Sequence, residues 1–239
     1  MNLALLFAAD FISTDTVRLS DRRLEHLRSI RKIAVGDSVP VGQVNGNIGV
    51  GRVTKLTDHY AELHVTLDQA PPEPLPLTLM LAMPRPKMFR RTLQTCATLG
   101  VKELWLINSY KVEKSFWQTP WLQEPALHDN LVLGLEQARD TLMPKVHIRK
   151  LFKPFVEDEL PALLAGKQAL VAHPGSAQPC PVHLQGSAAL CIGPEGGFTD
   201  YEVDKLQQAG CQAVHLGQRI LRVETAVPVL VSRLFDGCV

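Results

Sequence analysis

The chain has no surplus of charge, no disulfide framework and no long apolar run. Its 25 Lys and Arg stand against 24 Asp and Glu, a formal net charge of +1. A whole-protein basic field is therefore excluded, and any nucleic-acid footprint must be local. Five cysteines (Cys96, Cys180, Cys191, Cys211 and Cys238) show neither CxxC pairing nor regular spacing, which speaks for reduced thiols and against a zinc site or disulfide scaffold. The eight histidines have no metal-ligand spacing either, so no metal is expected. No apolar run approaches the ~18 residues that a membrane span needs. Met1–Ala9 is short and lacks a basic leader, so it reads as a first strand, not a signal peptide. These absences point to a cytoplasmic protein with no membrane partner.

What is present is a 239-residue chain, 46% hydrophobic, long enough for one large domain or two modest ones. Pro71, Pro72, Pro74 and Pro76 crowd into six positions. So stiff a segment, poor in backbone donors, reads as a linker over 71–76. Residues 1–70 read as a mostly β unit. Leu24, Leu27 and Ile30 at helical spacing predict a helix within Asp21–Lys32, and Asn45-Gly46 predicts a hairpin with positive φ at both turn residues. Tyr60–Leu67 alternates as a strand, and a small barrel with one helix is the economical arrangement. Residues 77–239 alternate differently. Strands are expected at 77–83, 103–107, 146–149, 169–172, 189–192 and 213–216. Helices are expected at 87–99, within 122–139, at 155–164, and after each of the last two strands. That alternation predicts an α/β domain with a mostly parallel sheet.

The chemistry concentrates in two strand-to-helix turns. Gly193-Pro194-Glu195-Gly196-Gly197-Phe198 follows the apolar run ending at Ile192, and Thr199-x-x-Glu202 is a capping-box pattern that starts the next helix. The turn has neither a GK[ST] ending nor GxGxxG spacing, so neither standard phosphate loop is supported. Alone it is equally compatible with a tight turn before a capped helix. The second turn, Leu216-Gly217-Gln218-Arg219-Ile220-Leu221-Arg222-Val223-Glu224-Thr225-Ala226, changes that balance. Two such turns should lie side by side at one sheet edge, where α/β sheets bind ligands. Pro228, best suited to a first helical turn, places the last helix start near Thr225.

These paired motifs resemble the RsmE family of the SPOUT class. That family comprises trefoil-knotted, S-adenosylmethionine-dependent methyltransferases acting on uridine N3 in 16S ribosomal RNA of the small subunit. The likeness extends to Glu25–Arg31 with Val35-Gly36-Asp37 and to Lys87 ahead of Gln94–Gly100, and so covers nearly the whole chain. It implies a PUA-like RNA-binding barrel at 1–70, a knotted SPOUT domain at 77–239 and a homodimer. It also implies S-adenosylmethionine bound by Gly193, Glu195, Gly196, Gly197, Leu216, Gly217, Ile220, Leu221, Arg222, Glu224 and Thr225, with His173 in a third wall. The chain departs from the family at Glu136-Gln137-Ala138-Arg139-Asp140, where relatives carry Glu-Gln-Ser-Gly-Arg. It departs again at Ser109–Trp117, where an arginine-containing stretch is usual.

Two basic clusters suit a ribosomal RNA partner. Arg18, Arg22, Arg23, Arg28, Arg31 and Lys32 face only Asp21 and Glu25 in their stretch, and Arg85, Lys87, Arg90 and Arg91 have no acid among them. Either alone reads as a solvated helix face; beside a methyl-donor pocket both become phosphate contacts. The RNA-binding expectation covers Arg22, Arg23, Arg28, Arg31, Lys32, Arg85, Lys87 and Arg90. Methylation at N3 requires loss of a proton, which a cation at the uracil oxygens promotes; Arg222 is the expected cation. Glu195 and Glu224 either orient the base, accept its proton or pair across the two loops. Two other functions remain open: methylation of another RNA or acceptor atom, and an RNA-binding assembly factor without catalysis.

Overall fold

The computed structural model describes residues 1–235; Cys238 lies outside them. The described residues divide into two compact units, residues 1–73 with 132–143, and residues 74–131 with 144–235.

In the first unit, strands β1 (Ala4–Leu6), β2 (Thr16–Leu19), β3 (Ser38–Gln43), β4 (Ile48–Leu56) and β5 (Ala61–Gln69) form one sheet in the order β1-β3-β4-β5-β2. All pairings are antiparallel except β1 with β3. Helix α1 (Arg22–Ser29) is capped by Asp21, whose side chain accepts from the Arg23 N–H, and it buries Leu24 and Leu27. These pack with Leu6, Val17, Leu19, Val41, Val53 and Leu63. The β3–β4 connection differs from the expected two-residue turn. It spans 44–47, and Asn45 alone of Asn45 and Gly46 has positive φ (56°). Tertiary bonds decide this: Val44 N–H donates to Leu6 O and Asn45 N–H to Thr141 O. Residues 132–143 cluster with this unit because Glu136 is buried here. Its carbonyl accepts from Asn2 and Leu3 N–H, and its carboxylate from Arg22 Nη1 at 2.7 Å.

The second unit holds six parallel strands in the order β11-β9-β10-β6-β7-β8. They are β6 (Leu77–Ala82), β7 (Glu103–Ile107), β8 (Lys145–Arg149), β9 (Gln168–Ala172), β10 (Ala188–Ile192) and β11 (Gln212–Val214). Every residue of the adjacent β6 and β10 is buried, as expected for strands covered on both faces. Helices α2 (Pro86–Thr98), α3 (Glu124–Ala138), α4 (Phe152–Pro154), α5 (Leu160–Leu164), α6 (Asp200–Gln208) and α7 (Val223–Leu234) connect them. The sheet first grows from β6 through β7 to β8; the chain then crosses to β9 and returns to insert β10 between β9 and β6. This reversal sets the carboxyl ends of β9, β10 and β11 together.

Three local expectations fail for physical reasons. The helix expected at 155–164 is interrupted by a π turn at Phe155–Glu159, because Pro161 has no N–H to continue the α pattern. Strand β11 ends at Val214 because His215 leaves the sheet, donating its N–H to Gln178 O and accepting from Cys180 N–H. Helix α7 starts at Val223, so Pro228 sits in its interior and Glu224 O loses its helical donor. Among the described residues, no helix is long and apolar enough to cross a membrane, and no cluster of His, Cys, Asp or Glu could hold a metal.

Candidate functional site

A cavity of about 400 Å³ opens where the ends of β9, β10 and β11 converge, within the size range of small-molecule sites. Its first wall is the 193–198 turn. Gly193 is required by a close approach: a Cβ there would lie 2.9 Å from Phe198 N. Gly197 has φ +68° and donates its N–H to Pro194 O at 2.7 Å. Phe198 is buried and anchors the turn to the core. Thr199 then caps α6, with Glu202 closing the capping box.

Glu202 does more than cap. It is 3% exposed; its Oε2 accepts from Thr199 N–H at 2.9 Å, and its Oε1 accepts from Tyr110 N–H at 2.7 Å. The 108–112 loop after β7 is thereby fixed to the start of α6. Lys111 from that loop lines the cavity and donates from Nζ to Gly196 O at 2.8 Å. Glu195 Oε1 accepts from Arg85 N–H at 3.0 Å, tying the turn to the head of α2. Glu202→Ala removes the acceptor of two backbone donors and the N-terminal capping box of α6, so a loss of about 1 kcal/mol is expected; urea unfolding measures it.

The second wall comes from 214–221. Gly217 has φ +115° and donates its N–H to His215 Nδ1 at 2.9 Å. Ile192, Val214, Leu216, Leu221, Val223 and Leu230 make the interior apolar, while Ala172–Gly175, His173 included, forms the third wall. Cys191 on β10 is a free thiol; its side-chain hydrogen bond with Cys211, and burial, hold it well above its ordinary pKa.

Of the expected cofactor residues, His173, Gly193, Glu195, Gly196, Gly197, Leu216, Gly217, Ile220 and Leu221 line this cavity; Arg222, Glu224 and Thr225 do not. Helical geometry is the reason. Val223, Ala226 and Leu230 share the face turned inward, which leaves Glu224 and Thr225 off it, and Arg222, the N-cap of α7, is exposed. Arg222 thus lies off the lining where its catalytic role was expected. Glu224 Oε2 is buried with no hydrogen-bond partner among the described residues. Lys111, Asp200, His215 and Ala226 line the cavity without having been expected there. For Lys111 no spacing signal exists, since its loop belongs to a strand two places from β10.

The expected RNA contacts divide as well. Arg23 is 4% exposed. Its guanidinium is held by Asp10 at 2.6 Å and Asp21 at 2.7 Å, so it is a core ion pair and unavailable to phosphate. Arg22 pairs with Glu136, Arg28 with Asp58, and Arg90 lies 4.0 Å over the Trp121 ring. Arg31, Lys32, Arg85 and Lys87 are exposed.

The family model described as RNA methyltransferase domain matches residues 71–235, the unbroken stretch that carries every wall of the cavity. This chain belongs to that family, in its RsmE branch. The methyltransferase is 27% identical over 216 residues to Ribosomal RNA small subunit methyltransferase E of Treponema pallidum, covering 86% of this chain and 79% of the relative. It is also 27% identical over 249 residues to the Synechocystis protein of the same name, covering 98% and 77%. Among solved structures it resembles Ribosomal RNA small subunit methyltransferase E from Neisseria gonorrhoeae bound to S-adenosyl methionine. There the TM-score is 0.76 at 24% identity, over 96% of this chain and 95% of that one. A Legionella pneumophila protein solved with bound SAM gives 0.75 at 19% identity, over 97% and 95%.

Proposed function

We propose that this methyltransferase transfers a methyl group from S-adenosylmethionine to N3 of a uridine in 16S ribosomal RNA of the small subunit. The observation that carries this is the convergence of three strand ends on one cavity inside the matched domain. The cavity's chemistry fits the donor. A Cβ built on Gly197 or Gly217 would meet nothing within 4 Å, so at both places bare backbone faces open space. The apolar side chains beside them suit a flat nucleoside ring. Gly193, Gly196, Gly197, Leu216, Gly217, Ile220 and Leu221 would hold the donor, with His173 at the third wall and Glu195 keeping the first turn closed. When bound, the donor supplies an electrophilic methyl carbon: the N3–C bond forms as the C–S bond breaks, the electron pair leaves on sulfur, and the N3 proton passes to solvent.

The protein's contribution is alignment and stabilisation of charge on the base. In this reading residues 71–76 link a PUA-like RNA-binding barrel at 1–70 to a knotted SPOUT domain at 77–239. Support for the knot is the capture of α7 by the 180–184 segment, where His183 N–H bonds Arg233 O and Leu184 N–H bonds Leu234 O. Support for a homodimer is the 80% exposure of Ile220 at the cavity. Arg31, Lys32, Arg85 and Lys87, with Arg22, Arg28 and Arg90, are the RNA contacts, and the setting is cytoplasmic. Incubating the purified protein with labelled S-adenosylmethionine and unmethylated small subunits should label one uridine, located by mapping the modified base. Label on another RNA or atom selects the alternative substrate; donor binding without transfer selects the inactive assembly factor.

A further inference from the structure

We propose that Tyr110 and Lys111 form the acceptor-base subsite, with the Lys111 ammonium facing the uracil oxygens and the Tyr110 ring stacking on a base. The proposal rests on the reading of the cavity as the methyl-donor site. Lys111 is held to the glycine turn along its whole length. A Cβ on Gly196 would lie 3.0 Å from Lys111 Cδ and 3.4 Å from its Cβ, so the lysine stem occupies the space a side chain there would need. Its ammonium spends one hydrogen on Gly196 O. Two donors remain on a side chain that lines the cavity. Arg219 also lines it, but no hydrogen bond or ion pair fixes that guanidinium among the described residues.

The chemistry calls for such a cation. Removing the N3 proton spreads negative charge over the two flanking oxygens, and a cation positioned at them stabilises that charge in the transition state. Arg222 lies off the cavity, and Lys111 is on it. The groups that share the space are Glu195, Asp200, His173, His215 and Arg219, with Glu202 behind the loop.

Tyr110 completes the arrangement. Its side chain is 85% exposed, yet its backbone is clamped by the buried Glu202 carboxylate, and Val112 N–H closes the loop onto Ser109 O at 3.0 Å. An exposed aromatic ring on a backbone that is held, next to a residue lining the cavity, is a platform for an unstacked base. Proteins read single-stranded or extruded bases on such rings.

The test uses single-turnover methyl transfer to small subunits, with donor affinity measured separately by calorimetry. Lys111→Met keeps the apolar stem on Gly196 and removes the charge. It should bind S-adenosylmethionine within about twofold of the parent while transfer at neutral pH slows about 100-fold. The rising limb of its rate–pH profile should move to higher pH, because the uncompensated base gives up its proton less readily. Lys111→Arg should recover part of the rate. Tyr110→Ala should raise KM for the subunit about tenfold with donor affinity unchanged, and Tyr110→Phe should not. Two results would overturn the proposal: an unchanged rate and pH profile in Lys111→Met, or a loss confined to donor binding, which would make Lys111 only a tether. An unchanged KM in Tyr110→Ala would remove the stacking role. Should Lys111→Met fail to fold, Lys111→Gln is read by the same criteria. Failure of the parent protein to bind the donor would instead count against the function proposed above.

Discussion

Arg23→Ala should cost about 3–5 kcal/mol of stability, the range for breaking a buried ion pair by removing one partner. Arg23 Nη1 and Nη2 reach both oxygens of Asp10 at 2.6 and 2.7 Å, and Asp10 Oδ2 also accepts from Phe7 N–H. Removing the guanidinium leaves the largely buried Asp10 carboxylate without its counter-charge. Asp21 matters less, since its side chain is half exposed and solvent screens it. Urea unfolding at neutral pH measures the loss; a change within about 0.5 kcal/mol would show that the pair is dispensable. The same cluster predicts a pH dependence. Burial raises the Asp21 pKa, but the Arg23 hydrogen bonds and charge outweigh it and hold the group below its ordinary 3.8. A carboxylate depressed in the folded state adds stability above its unfolded pKa and loses it as pH falls through the folded one. Wild-type stability should therefore decline below about pH 4, and Arg23→Ala should decline less steeply there.

Arg23 also shows where sequence reading stops. Its neighbours Arg22 and Arg28 are indistinguishable from it by charge, and only the three-dimensional placement of Asp10 turns it inward. Features set within a few residues were legible: the Thr199 cap, the end of α2 just before Gly100 with φ +81°, and the apolar runs that became β6, β7 and β10. Features set by distant partners were not. His215 leaves its strand for Gln178 and Cys180, and Glu136 joins Asn2 and Leu3 across more than a hundred residues. The two glycine turns were legible because their constraint is local and steric. Arg222, Glu224 and Thr225 rest on the family resemblance alone; with α7 beginning at Val223 they sit at its head, beside the Val223, Ala226 and Leu230 face that lines the cavity. Lys111 was invisible for the opposite reason: a buried Glu202 on another element brings it to the cavity.

Gly193→Val should abolish most activity, with kcat/KM down about 100-fold, the scale on which a displacement near 1 Å disables an aligned reaction. Gly193 does not have positive φ, so the substitution acts through contact and not through backbone conformation. Its new Cβ would stand 2.9 Å from Phe198 N, 3.2 Å from Phe198 Cδ2 and 3.3 Å from Gly197 C. Two of these are backbone atoms, so the turn itself must open. Opening it moves Gly196 and Gly197 away from the cavity and pulls the Gly196 carbonyl from Lys111, so donor affinity and transfer rate should fall together. Gly166→Ala is the control. Gly166 has φ +71°, a Cβ added there would meet nothing within 4 Å, and the residue does not line the cavity. That change should cost about 1 kcal/mol of stability from conformational strain alone and leave calorimetric donor binding unaltered. Normal donor affinity in a folded Gly193→Val protein would mean that the 193–198 turn is not a wall of the donor site.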